Sequence, residues 1–256
     1  DSDYGGARYI IDNTNKVLRA IGSKIRAEPT SVEDPFSNCA GAYRVRANVT
    51  NTADAEVGGI VAGVNATKGV LFHGPTILYG FVDGVAVSLE TTSIDNVYWV
   101  MKTGASGIVV DHDNIIEPPA AHVDTQEGSF VIMAVEKYAG PNEDCKIIVT
   151  GENPYGGYQP GFSAEYYDYP LDGPTLVLNA VDWGVMVESA SDQIMSEISD
   201  LESTVASQAS EIAGLETEID GLQSELAGLN SMVYAAIGLA VIGILVGAVG
   251  MFLRKS

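Results

Sequence analysis

Apolar residues recur along this chain with two periods. Up to about residue 187 they alternate with polar ones or gather in short runs. Over the last quarter they return every three and four positions. The clearest alternation sets Tyr43, Val45, Ala47 and Val49 against Arg44, Arg46, Asn48 and Thr50, a strand with one buried and one wet face. Further strands are predicted at 8–12, 57–61, 69–72, 76–81, 84–90, 96–102, 107–111, 129–137, 144–150 and 175–187. Residues 16–27 read as a strand or as a short helix. Gly, Pro, Asn and Asp punctuate these runs, a pattern that points to antiparallel pairing in a β-sandwich or barrel. No amphipathic helix is expected before residue 185. Residues 1–150 are therefore read as a β-sandwich head. Residues 151–187, a Tyr/Gly/Pro-rich segment and a final strand, complete it.

The second period begins at Ile194. Ile194, Ile198, Leu201, Val205, Gln208, Ile212, Leu215, Ile219, Leu222, Leu226, Leu229 and Val233 follow one another by alternating steps of four and three. This heptad seam is broken only by Gln208, and it predicts a coiled-coil stalk over 188–232. With Ile198, Val205, Ile212, Ile219, Leu226 and Val233 at a and mostly Leu at d, the side chains favour a parallel dimer. At Val233 the polar face disappears, and 21 residues without a charge run to Leu253. They span about 31 Å as a helix, the thickness of a bilayer core. A transmembrane helix is predicted at 233–253, with a tail at 254–256. The seam keeps its phase across this boundary as Ala236, Ala240, Gly243, Gly247 and Gly250, small residues that let membrane helices approach closely. The whole is read as a mainly β head, a parallel coiled coil and one membrane span.

Charge adds direction to this layout. The chain carries a formal charge of −21, which argues against a nucleic-acid partner, since phosphate binding needs a basic stripe. Between Glu188 and Ser231 lie ten acids and no base. Glu197, Glu211, Glu218 and Glu225 occupy g, and Glu202 and Glu216 occupy e, so identical chains would repel along the seam. Low pH, salt or divalent ions relieve such repulsion. Arg254 and Lys255 follow the apolar run, which places the C-terminus in the cytoplasm and the head and stalk outside. A start at Asp1 fits removal of a signal peptide.

Candidate chemistry is sparse. Cys39 and Cys145, outside a cell, are expected to pair as a disulfide. Asn48 and Asn65 head the sequons Asn48-Val49-Thr50 and Asn65-Ala66-Thr67 and are expected to face outward, open to glycosylation. Asp111, His112, Asp113, His122 and Asp124 form a candidate cation site, with Ca²⁺ the favoured ion; otherwise they form a solvated acidic loop, and no other cofactor is implied. Tyr155, Tyr158, Tyr166, Tyr167 and Tyr169 either lie on the head or form a contact surface. No nucleophile elbow, phosphate-cradling Gly loop or dinucleotide fingerprint is present, and no enzymatic activity is expected.

A β-rich head, a long seam and a single C-terminal anchor together resemble the membrane-anchoring stalk subunit of archaeal surface layers. The resemblance covers the layout of the whole chain rather than a motif. It implies a homotrimer, where the side-chain rule gives a dimer. It also implies a lattice-forming surface-layer protein as partner, membrane lipid as a second, and a structural role. The rival readings are an archaeal viral spike or adhesin, and a membrane-tethered extracellular binding protein.

Overall fold

The computed structural model describes residues 4, 8–112, 119–153, 161–185 and 190–253; the side chains of 8, 9, 190–196 and 245–253 lie outside that description. The chain divides into two compact units, residues 1–186 and 187–256.

The first unit is organised around one strand. Its β elements are β1 (Ile25–Ala27), β2 (Ser31–Glu33), β3 (Arg44–Ala47), β4 (Val49–Thr50), β5 (Val70–His73), β6 (Leu78–Val82) and β7 (Val85–Ser88). They continue with β8 (Val97–Lys102), β9 (Gly107–Val110), β10 (Glu127–Gly128), β11 (Val131–Ala139), β12 (Cys145–Thr150), β13 (Glu165–Tyr166) and β14 (Tyr169–Pro170). Every pairing is antiparallel. The largest sheet runs β12-β11-β8-β4, beside the smaller sheets β1-β6-β7, β10-β9-β2, β3-β5 and β13-β14. β11 is buried along nearly its whole length, so it reads as a continuous apolar run rather than an alternation. Register shifts along it direct Ile132, Met133 and Val135 into one core cluster and Val131 and Ala134 into another.

The predicted strands from 69 to 150 fall on β5 to β9, β11 and β12. The alternation at 43–50 holds over Arg44–Ala47, where Val45 and Ala47 are fully buried. It stops at Asn48, because β3 pairs with β5 and β4 leaves for β8.

Three readings need correction. Residues 8–20 form α1 (Arg8–Ala20), which overturns the strand at 8–12, while of the two readings of 16–27 the helix holds up to Ala20 and β1 follows. Ile11 and Leu18 are buried, and Asn15 between them donates Nδ2 to Ala27 O at 2.7 Å and accepts Ala27 N at 2.8 Å. A side chain here completes the hydrogen bonding of a strand end. Residues 175–187 were expected as a strand, yet α2 spans Gly173–Val185. Pro174 sits in its first turn, where a missing N–H costs nothing. Leu176, Ala180 and half-buried Trp183 face the core at helical spacing. Trp183 Nε1 donates to Glu56 O at 3.1 Å, and Asn179 Nδ2 donates to Ile60 O and Ala62 O. That anchoring explains the third correction: 57–61 is a run of turns whose Val57, Ile60 and Val61 are buried beneath the helix. The head is therefore mainly β, and its described residues include two helices.

The second unit is one continuous helix, α3 (Ala190–Leu253), of 64 residues. It runs without a break through the predicted span and through the predicted stalk from Ala190 onward.

Candidate functional site

Along α3 the apolar seam stands in the open. Ile198 is 42 % exposed, and Leu201, Val205, Ile212, Leu215, Ile219, Leu222, Leu226, Leu229 and Val233 lie between 52 and 63 %. Apolar side chains this exposed forgo part of the roughly 1.5–3 kcal/mol that full burial of each is worth. A row of ten is an unpartnered surface of the kind a second helix covers. Gln208 is exposed on the same row, and Glu197, Glu202, Glu211, Glu216, Glu218 and Glu225 flank it in water. The helix is long and apolar enough toward its C-terminus to cross a membrane, with a mean hydropathy of 1.8 over its most apolar window. Ala236, Ala240 and Gly243 are exposed there, and a Cβ at Gly243 would meet nothing within 4 Å. The side chains of Ile194, Gly247 and Gly250 lie outside the described residues.

The head places its polar candidates differently from the sequence expectation. His122 is buried, with Nδ1 at 2.5 Å from Glu28 Oε2 and Nε2 at 3.0 Å from Glu90 Oε2. Phe130 stands edge-on to its ring at 5.4 Å. Burial would lower the pKa of His122, but the hydrogen bonds and charges of the two carboxylates outweigh it and hold it at about 9. Both ring nitrogens face carboxylates, and the raised pKa favours the doubly protonated imidazolium between them. Glu28 also accepts the backbone N–H groups of Ala121 and His122. Burial works against the charge on Glu90 too, yet His122, Ser88 Oγ and Val131 N–H together depress its pKa. The centre ties the ends of β1 and β7 to the segment before β10 and the start of β11.

Of the other proposed cation ligands, Asp124 Oδ1 accepts Asp111 N–H at 3.0 Å and His112 Nε2 lies 2.9 Å from Ser31 Oγ. Asp113 lies outside the described residues. Among the described residues no three His, Cys, Asp or Glu side chains converge on a metal position. The disulfide expectation is also corrected, since Cys39 and Cys145 are free thiols. Cys39 is buried in a satellite cluster with Leu71 and Leu171, whereas Cys145 is exposed at the start of β12. Burial raises the pKa of Cys39, and a hydrogen bond to Asp144 raises that of Cys145, so neither is an activated thiolate.

Asn65 is exposed, its Oδ1 accepting Thr67 N–H at 2.8 Å. Asn48 is half-buried at the break between β3 and β4. Of the five clustered tyrosines, Tyr166, Tyr167 and Tyr169 are described and lie on the head. Arg44 has the ring of Tyr43 at 4.7 Å and that of Tyr167 at 4.6 Å, and Arg46 lies 5.5 Å from Tyr169. These cation–π contacts fasten the β13–β14 hairpin to β3. Tyr155 and Tyr158 lie outside the described residues.

One feature of the head had no sequence signal. Between α2 and strands β5, β11 and β12 lies a cavity of about 270 Å³, lined by Val70, Phe72, Met133, Leu176 and Ala180 among others, with Glu152 at its edge. Glu152 accepts His73 N–H at 2.8 Å. Burial lifts its pKa to about 8, so it is a neutral acid at pH 7. Nothing in the local sequence distinguishes it from a solvated loop glutamate.

Comparison with protein-family models, with curated proteins and with solved structures gives no match.

Proposed function

We propose that this chain is a structural protein of a cell envelope: a self-associating, membrane-anchored stalk that carries a β-rich head above the membrane. The observation that carries the reading is the 64-residue helix on which an open Ile/Leu seam passes in phase into an Ala/Gly stripe. Water drives burial of the first part, and close packing without a hydrophobic drive suits the second. Parallel association of copies covers the seam over its full length. The basic tail at Arg254 and Lys255 supports a cytoplasmic C-terminus, with the head and stalk outside. The acidic flanks support assembly in an acidic or ion-rich medium.

The heptad region adds roughly 63 Å of standoff at 1.5 Å per residue. A spacer of this kind, resembling the archaeal surface-layer stalk, supports a lattice-forming protein above the membrane, and we assign the assembly as a trimer. The head supplies a rigid terminus, its buried His122 held between Glu28 and Glu90. Electron tomography of native envelopes tests the reading. Deleting two heptads, residues 205–218, is expected to bring the outer density closer to the membrane by about 21 Å. An unchanged spacing contradicts the spacer role.

A further inference from the structure

Three loops of the head meet at Gly104. Asp34 follows β2, Asn48 separates β3 from β4, and Gly104 and Ser106 lie in the turn between β8 and β9. A Cβ placed on Gly104 would have three nearest neighbours, all of them side-chain oxygens: Asp34 Oδ2 at 3.2 Å, Asn48 Oδ1 at 3.6 Å and Ser106 Oγ at 3.7 Å. The space that glycine leaves empty is walled by oxygen.

Asp34 makes this space demand an occupant. The residue is fully buried. Its Oδ1 accepts Phe36 N–H at 3.0 Å, Ser37 N–H at 2.8 Å and Ser106 O–H at 2.7 Å, whereas its Oδ2 is buried without a hydrogen-bond partner. A bare oxygen on a buried carboxylate is among the least tolerated groups in a protein interior. In the arrangement seen, no neighbour donates to it. Ser106 has already given its proton to Oδ1, so it offers lone pairs to the gap. Asn48 offers its carbonyl oxygen.

We infer that Asp34 Oδ2, Asn48 Oδ1 and Ser106 Oγ form a Ca²⁺ site on the head. A carboxylate, an amide carbonyl and a hydroxyl are hard oxygen ligands. Ca²⁺ accepts them in irregular geometry and completes its shell with water. Mg²⁺ demands near-octahedral contacts that three separate loops do not offer. Gly104 and Asn48 are only half-buried, which gives the ion an entrance, and the strongly negative chain concentrates divalent cations around it. With one carboxylate the affinity belongs to the weak extracellular class, on the order of 10⁻⁴–10⁻³ M. The bound ion pins the three loops that lead into β3, β4 and β9. This site is distinct from the Asp111–Asp124 stretch and independent of how the stalk assembles.

The test uses the full chain in detergent. The head's melting temperature is followed as CaCl2 is titrated, with MgCl2 and NaCl at matched ionic strength. The wild type is expected to show a saturable Ca²⁺-specific rise with half-saturation near millimolar. Asn48→Ala, which removes a ligand, and Gly104→Ala, which fills the gap with a methyl group, are expected to abolish it. Asp83→Asn, on an exposed turn, is expected to keep it. Equal Ca²⁺ responses in wild type, Asn48→Ala and Gly104→Ala overturn the proposal, as does a Mg²⁺ rise equal to that of Ca²⁺. A melting temperature that Asn48→Ala lowers equally with and without Ca²⁺ also overturns it, because the Asn48 amide NH₂ then satisfies Asp34.

Discussion

His122 and Glu152 show how burial turns ordinary titratable residues into stability terms of definite sign. His122 titrates at about 9 in the fold against 6.5 in an unfolded chain. Its contribution is whole below pH 6.5 and is lost as pH rises through 9. Glu152 titrates at about 8 against 4.5, so its stabilisation is whole below pH 4.5 and is lost between 4.5 and 8. Glu90, whose pKa is depressed, acts in reverse, contributing above 4.5 and fading as pH falls through its folded value. Together these groups place the head's greatest stability on the acid side of neutral. Glu152→Gln is expected to match the wild type near pH 4 and to exceed it by a few kcal/mol at pH 8 in urea titrations. His122→Ala leaves Glu28 and Glu90 facing an empty site without their cation. It is expected to cost about 3–5 kcal/mol at pH 6, measured the same way. None of these roles was legible in the sequence. His122 lies near Asp111, His112 and Asp124 along the chain, a spacing that suggests a ligand, but its partners lie 94 and 32 residues away. Partnership across sheets has no local signature.

Among elements, legibility followed the length and purity of the period. The strands between 69 and 150 were readable because each has a simple apolar pattern closed by turn residues. The helices of the head were not. In α1 exposed Ile10 and Val17 sit beside buried Ile11 and Leu18, so the apolar residues come in adjacent pairs that fit two periods. In α2 the run Leu176-Val177-Leu178 suits a strand by composition, and only docking onto the turns at 56–62 selects the helix. The long helix was readable throughout, since its period persists far beyond any chance alternation. Its one polar core position supplies a direct test of the seam. Gln208 is exposed on the single helix and would be buried at d in the proposed assembly, where Gln208→Leu replaces its amide by an apolar side chain. The assembled stalk is expected to melt at a higher temperature by circular dichroism, whereas the same substitution on a solvent-facing row would leave the melting curve unmoved.

At the scale of the molecule the head and the helix agree about medium. The head is favoured by acid through His122 and Glu152. In the proposed assembly the helices, flanked by glutamates with no base opposite, would repel one another less in acid or in salt. A chain of −21 formal charge thus holds together best where its acids are neutralised by protons or by cations. The central claim is that α3 joins copies of the chain. The mass of the full chain in detergent micelles, taken by light scattering at pH 4 and at pH 8, tests it most directly. The account predicts a trimer at pH 4, weakened toward monomer at pH 8, and monomer at both when Leu215 and Leu222 are changed to Asn. A wild-type chain that is monomeric at pH 4 across the accessible protein concentrations would contradict it.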